Sequence, residues 1–305
     1  MKYSVIVPSY NSESTIARCL EALTQQRFEE SSEIVVVDSS NDATPEIIRK
    51  HFPQIRLIHL DQRTDSYTAR NIGIRQSHGE ILCFIDSDCL ARSDWLCRIA
   101  ATHNEHAEYA AVGGSVANGN PGSSIGWAGY FAEFREFFPF HPKQLIANIP
   151  TCNISYKRRV FEQYGEFQDV LPPGITIRHP QQGDLVFNLK LGAHQERIFF
   201  DPEIQVAHIN MTTLTRFVGH QYRLGRITSV VLKQFPKLRG SFIARSAFFS
   251  IAACPVLPLV KFLNTFRIAA LSRDYLFAFV RSAPLLLLGL LFWEAGFLRG
   301  VFLHE

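Results

Sequence analysis

Paired cysteines are missing from this chain. Its six cysteines, Cys19, Cys83, Cys89, Cys97, Cys152 and Cys254, form no C-x-x-C and no His/Cys ligand spacing. That argues against a zinc site or a disulfide framework and points to a reduced, cytosol-facing protein. A signal segment is lacking too, since MKYSVIVPSYN passes straight into a strand without a basic stretch, a long apolar core or a cleavage site. The expectation is that the front of the chain is not exported. No internal repeat or low-complexity tract is present. Between Pro8 and Glu13 there is no glycine and no basic residue, which counts against a Gly-rich phosphate loop. Acidic residues are scarce at the back. Residues 216–305 hold 12 Lys+Arg against 3 Asp+Glu, net +9, while residues 1–215 hold 19 against 25, net −6, together the chain's +3. An acidic front and a basic, apolar back point to a membrane or another anionic surface as partner, with no nucleic acid.

What is present is apolar content, 47% of 305 residues, enough for a substantial core. Tyr3 to Val7 reads as a short buried strand stopped by Pro8, and Ile16, Cys19, Leu20 and Leu23 follow at helical spacing. A strand from Ile34 to Val37, a helix from Pro45 to His51, a strand from Arg56 to Leu60, a helix from Ala69 to Ser77 and a strand from Ile81 to Ile85 continue the alternation. Strands alternating with helices predict an α/β, doubly wound, mostly parallel sheet. Ser93 to His106 reads as a helix, Ala110 to Val116 as a strand and Asn118 to Ser124 as a loop. The aromatic stretch Trp127 to Phe140 fits core or subunit contact, or an acceptor site for a lipid portion.

ILCFIDSDCL sets Asp86 and Asp88 at the end of an apolar strand with one residue between them. Open α/β sheets bind ligands beyond the carboxyl ends of their strands, and Mg²⁺ or Mn²⁺ is held there by one or two carboxylates plus phosphate oxygens. Two aspartates at a strand end are equally a turn or a helix cap. Three earlier strand ends add Ser9, Tyr10 and Asn11; Asp38 and Asp42; and the polar run from Asp61 to Arg70. Such convergence suits a nucleotide. A carboxylate accepts from a base imide or a ribose hydroxyl, an aromatic ring covers the base, and an arginine balances phosphate charge.

The strings VIVPSYNSESTIARCLEAL, EIVVVDSSNDAT, ARNIGI and FIDSDC, in that order over residues 5–89, resemble the inverting family 2 glycosyltransferases of the membrane-associated bacterial type. The resemblance implies a GT-A fold and a nucleotide-diphosphate sugar donor, a UDP-sugar foremost. It implies that Pro8, Tyr10, Glu13 and Asp38 frame nucleobase and ribose, that Arg70, Asn71 and Ser87 lie near the nucleotide, and that Asp86 and Asp88 hold a divalent Mg or Mn cation. The turn after Asp38 is one residue shorter than the family's aspartate-rich version. TCNISYKRRVFEQYGEF resembles the acceptor-side segment, which makes Thr151 and Asn153 acceptor candidates. QQGDLVFNLKLGAH resembles the segment carrying the general base. There Gly183 stands where glutamate is usual and Asn188 where arginine is common, while Asp184 keeps its place as candidate base, or simply starts a helix where a carboxylate is favoured. His208, in DPEIQVAHI, matches a histidine that completes the metal site or contacts phosphate, or is structural. HQYRLGR resembles a segment that closes over the nucleotide, so Arg223 and Arg226 either serve that closure or meet anionic lipid.

Ser246 to Val260 gives 15 uncharged residues interrupted by Pro255 and Pro258, and Ser282 to Trp293 gives 12 more. A full span needs about 20 apolar residues, so two membrane-inserted helices or a shallow hairpin are expected. The expected domains are a GT-A domain over 1–215, with a nucleotide half to about 116 and an acceptor half from about 117, and a membrane-associating region over 216–305. The implied activity is metal-dependent, inverting sugar transfer to a lipid-linked or polysaccharide acceptor at the inner (cytoplasmic) membrane, with the catalytic domain facing the cytoplasm. The rivals are a nucleotidyltransferase and, prompted by Gly183, a nucleotide-sugar-binding membrane protein that has lost catalysis.

Overall fold

Among the described residues, the alternation of buried apolar runs and amphipathic segments produces nine strands in one sheet. The computed structural model describes residues 2–167, 183–236, 238 and 240–302. Residues 168–182, which include the first two of QQGDLVFNLKLGAH, lie outside them. The elements are β1 (Tyr3–Ser9), α1 (Ile16–Thr24), β2 (Ser32–Asp38), α2 (Thr44–His51), β3 (Arg56–His59), α3 (Ser66–Gln76), β4 (Ile81–Phe84), β5 (Cys89–Ala91), α4 (Trp95–Glu105), β6 (Ala111–Asn118), α5 (Ser124–Glu133), β7 (Gln144–Ile146), β8 (Ile154–Lys157), α6 (Arg158–Tyr164), α7 (Gly183–Ala193), β9 (Ile198–His208), α8 (Leu214–Gln234), α9 (Ser241–Ala244), α10 (Ala247–Ala253), α11 (Leu257–Ala269) and α12 (Arg273–Val301).

The chain forms two compact units. The first comprises, of the described residues, 2–119, 137–167 and 183–209, and holds the sheet. Strand order is β3-β2-β1-β4-β8-β6-β9-β5, with β7 also on β9. β1 to β4 run parallel, as βαβ connections require. Beyond β4 the sheet is mixed: β8 lies antiparallel between β4 and β6, β9 runs parallel to β6, and β5 and β7 pair antiparallel with β9. β1 is buried along its whole length and α1 turns Ile16, Cys19, Leu20 and Leu23 inward, the periodicity read from the sequence. The three-residue β5 is too short to carry a pattern, and the sequence reading missed it.

The second unit comprises, of the described residues, those within 120–136 and 210–302. Here α12 lies against α8 at very short range. A Cβ on Gly225 would stand 1.8 Å from the Trp293 carbonyl, and one on Gly296 would stand 1.9 Å from that of Tyr222. Only glycine permits that approach. The uncharged run Ser282 to Trp293 sits inside the 29-residue α12, which carries Pro284 within it. The other run is broken into α10 and α11, bent by 53° around Pro255. By length and composition α12 could cross a membrane, and the bent pair could do so only as one broken span. Phe248, Ile251, Leu271, Phe277 and Val280 on these helices or at their ends are more than half exposed.

Candidate active site

Parallel pairing brings the carboxyl ends of β1, β2 and β3 to one edge, with Ser9 opposite Asp38 and Asp38 opposite His59. Asp38 is fully buried. Its carboxylate accepts from the Ser40 hydroxyl at 2.5 Å and the Ser40 N–H at 3.2 Å, and lies 2.8 Å from His59 Nδ1. A buried carboxylate with these partners sets the turn, because Ser40 Oγ in turn accepts from the Asn11 N–H at 2.7 Å and Asn11 Oδ1 accepts from the Asn41 N–H at 3.1 Å. The β1 and β2 turns are thus cross-linked. Glu13 belongs to the same link: its carboxylate accepts from the Ala43 N–H at 3.3 Å. Pro8 is buried in the last part of β1, and the half-buried Tyr10 carries the Arg63 guanidinium 4.3 Å from its ring centre.

At the end of β4 the two aspartates take different partners. Asp86 is ion-paired with Arg70, whose side chain is almost wholly buried. Asp88 Oδ1 lies 3.6 Å from His208 Nε2. The pairing is topological: β5 follows Asp88 directly, Cys89 sits opposite His208, and the Asp88 carbonyl accepts from the Ile209 N–H at 2.8 Å. Desolvation by the surrounding protein and the charge of Asp86 push the Asp88 carboxyl above its usual range, against the pull of His208. Such a carboxylate welcomes a cation. Among the described residues, Asp88, Cys89 and His208 form a group able to hold a metal ion, with one ligand atom from each within 4.8 Å of the others. Ser87, between the aspartates, shares a 2.7 Å hydrogen bond with Ser12 and fastens this turn to the one after β1.

Asp184 is the second residue of α7. Oδ1 accepts from the Leu185 N–H at 2.8 Å and from the Tyr67 hydroxyl at 3.3 Å, and Oδ2 accepts from the Thr151 N–H at 3.2 Å. Thr151 therefore meets Asp184 through its backbone. Asn153 does not reach the site: it is fully buried, its Oδ1 accepts from Trp95 Nε1 at 2.8 Å, and its amide donates to the carbonyls of Ser115 and Ile204. Asn71 is engaged with the backbone of Phe167, donating to its carbonyl at 2.8 Å and accepting from its N–H at 3.1 Å. Both amides tie segments together, a task their residue type alone could not distinguish from ligand contact. Arg223 and Arg226 lie on α8 in the second unit.

Residues 4–165 match the profile described as Glycosyl transferase family 2. The chain belongs to this family. This family 2 glycosyltransferase is 34% identical over 211 residues to glycosyltransferase AglE of Haloferax volcanii, covering 64% of this chain and 67% of that one. It is 39% identical over 111 residues to the poly(ribitol-phosphate) β-N-acetylglucosaminyltransferase TarS of Staphylococcus aureus, covering 35% of this chain and only 19% of that protein. Among solved structures, the mannosyltransferase PcManGT of Pyrobaculum calidifontis in complex with GDP-Man and Mn²⁺ shares the fold, with a TM-score of 0.57 at 20% identity over 94% of this chain and 85% of that one. The structure of TarS residues 1–349 in complex with UDP-GlcNAc gives a TM-score of 0.54 at 19% identity over 94% and 90%. The GT-A fold and the transferase class expected from the sequence are thereby shown. The nucleotidyltransferase alternative falls.

His59, the last residue of β3, escaped the sequence reading, and Arg63 and Tyr67 stood in it only within the polar run from Asp61 to Arg70, where no spacing rule tells a residue facing a turn from one facing solvent.

Proposed function

We propose that this glycosyltransferase moves a sugar from a nucleoside-diphosphate donor, a UDP-sugar foremost, to a lipid-linked or polysaccharide hydroxyl with inversion at the anomeric carbon. One observation carries the reading. Arg70, ion-paired with Asp86, lies 5.2 Å from the ring centre of Tyr67, whose hydroxyl reaches Asp184. A leaving-group side and a base side thus stand one stacked side chain apart. Asp184 would take the acceptor hydroxyl's proton as that oxygen bonds the anomeric carbon, while the bond to the diphosphate breaks and its electrons leave with the diphosphate. Asp88 and His208, with Asp86 beside them, would hold Mg²⁺ or Mn²⁺, and their oxygen and nitrogen donors and excess negative charge suit such an ion. When bound, the ion supplies charge stabilisation to the departing diphosphate. The donors and Mn²⁺ held by the structural neighbours support the donor class and the ion.

The catalytic domain is proposed to face the cytoplasm at the inner membrane. The support is the net charge of +9 over residues 216–305 and the exposed apolar side chains on α10 to α12. Release of the full-length protein by alkaline carbonate would refute insertion.

The transfer reading is tested on detergent-solubilised protein with Mn²⁺ and a panel of UDP-glucose, UDP-N-acetylglucosamine and GDP-mannose. Asp184→Asn should lower turnover by about 10² to 10⁴ while nucleotide binding persists. Unaltered turnover in that variant would sink the base assignment.

A further inference from the structure

We propose that Tyr67 is the positioning residue of the Asp184 carboxylate, in the room left by Gly183. The inference rests on Asp184 being the base. Asp65 caps α3, accepting from the Tyr67 N–H at 2.9 Å and the Thr68 N–H at 3.0 Å, so the start of the helix that carries the phenol is held. The ring is buried, lies 5.9 Å from that of Phe167, and stands between Arg70 and Asp184. A Cβ on Gly183 would stand 3.1 Å from three ring atoms of Tyr67. Glycine at the first position of α7 therefore lets the aromatic ring occupy the volume beside Asp184.

The consequence is chemical. Among the described residues three donors reach the Asp184 carboxylate: two are backbone N–H groups and one, the Tyr67 hydroxyl, is a side chain. A hydroxyl that donates to Oδ1 fixes where that oxygen points, and a base must be aimed at the proton it takes. A merely structural tyrosine would change stability and leave kcat per folded molecule alone.

Tyr67→Phe keeps the ring and deletes the hydroxyl. With Mn²⁺ saturating and donor hydrolysis or transfer as the assay, kcat at neutral pH should fall by about tenfold, the low end for a hydrogen bond to a charged group because 3.3 Å is long. KM for the donor should be unchanged. Gly183→Ala, whose methyl makes the ring yield by a few tenths of an ångström, should lower kcat by less, and not at all in a Tyr67→Phe background. Infrared difference spectra against Asp184→Asn read the hydrogen bonding of the carboxylate without turnover and should show its stretching band displaced in Tyr67→Phe. An unaltered kcat and an undisplaced carboxylate band in Tyr67→Phe overturn the proposal, as does a higher donor KM at unchanged kcat. Full turnover in Asp184→Asn refutes the base assignment itself, whereas a dead Asp184→Asn beside an unaltered Tyr67→Phe refutes only the role of Tyr67.

Discussion

Replacing Arg70 by methionine removes the cation that keeps the Asp86 and Asp88 turn from repelling itself. The Arg70 side chain is 4% exposed and that of Asp86 is 31% exposed. Breaking a wholly buried ion pair costs about 3–5 kcal/mol and breaking an exposed one about 0–1 kcal/mol. With one partner buried and the other a third open, about 2 kcal/mol is expected. Each kcal/mol lowers the melting temperature of a chain of this size by about 2–4 °C, so Arg70→Met should melt about 4–8 °C below wild type in EDTA. The variant frees Asp86 to face a cation together with Asp88. Mn²⁺ at about a hundred times its dissociation constant contributes about 2.7 kcal/mol and should recover most of the loss, raising the variant's melting temperature more than the wild type's. Thermal unfolding with and without Mn²⁺ is the assay. Equal melting temperatures in EDTA, or an equal response to Mn²⁺, would refute the reasoning.

Two further outcomes follow from buried groups elsewhere. Burial lowers the pKa of His103 to about 3, and Ser155 Oγ lies 3.0 Å from its Nε2. Unfolded histidine binds its proton near pH 6.5, so stability is full above that value and falls by about 1.4 kcal/mol per unit as pH drops toward the folded value. His103→Gln should flatten this dependence in urea titrations between pH 6.5 and 4.5; an unchanged slope counts against it. Gly296→Ala puts a methyl 1.9 Å from the Tyr222 carbonyl and should cost about 2–3 kcal/mol. Gly192→Ala, with open space around it on α7, should be neutral or slightly stabilising. Parallel melting curves in detergent decide whether α8 and α12 depend on that approach.

The first β-α units were legible because buried strands and amphipathic helices write their periods directly: Tyr3–Ser9 is buried throughout and α1 follows its predicted stripe. Asp86 and Asp88 were legible as a strand-end pair. Their division of labour was not. That Asp86 turns to Arg70 while Asp88 turns to His208 depends on β5, three residues long, pairing with the end of β9. For Asn71 and Asn153 the fold supplies backbone partners that residue type alone does not reveal. Asn153 reads as an acceptor contact by its place in the TCNISY string, yet in the fold its amide joins Trp95 to the carbonyls of Ser115 and Ile204.

Local order therefore decided the class of fold, the strand ends that carry carboxylates, and the basic, apolar character of the last ninety residues, because each is a property of neighbours along the chain. Tertiary structure alone decided which carboxylate meets which cation and what stands beside the candidate base. Tyr67 and Asp184 are 117 residues apart. Only the sheet, by fixing where α3 and α7 begin, makes them partners.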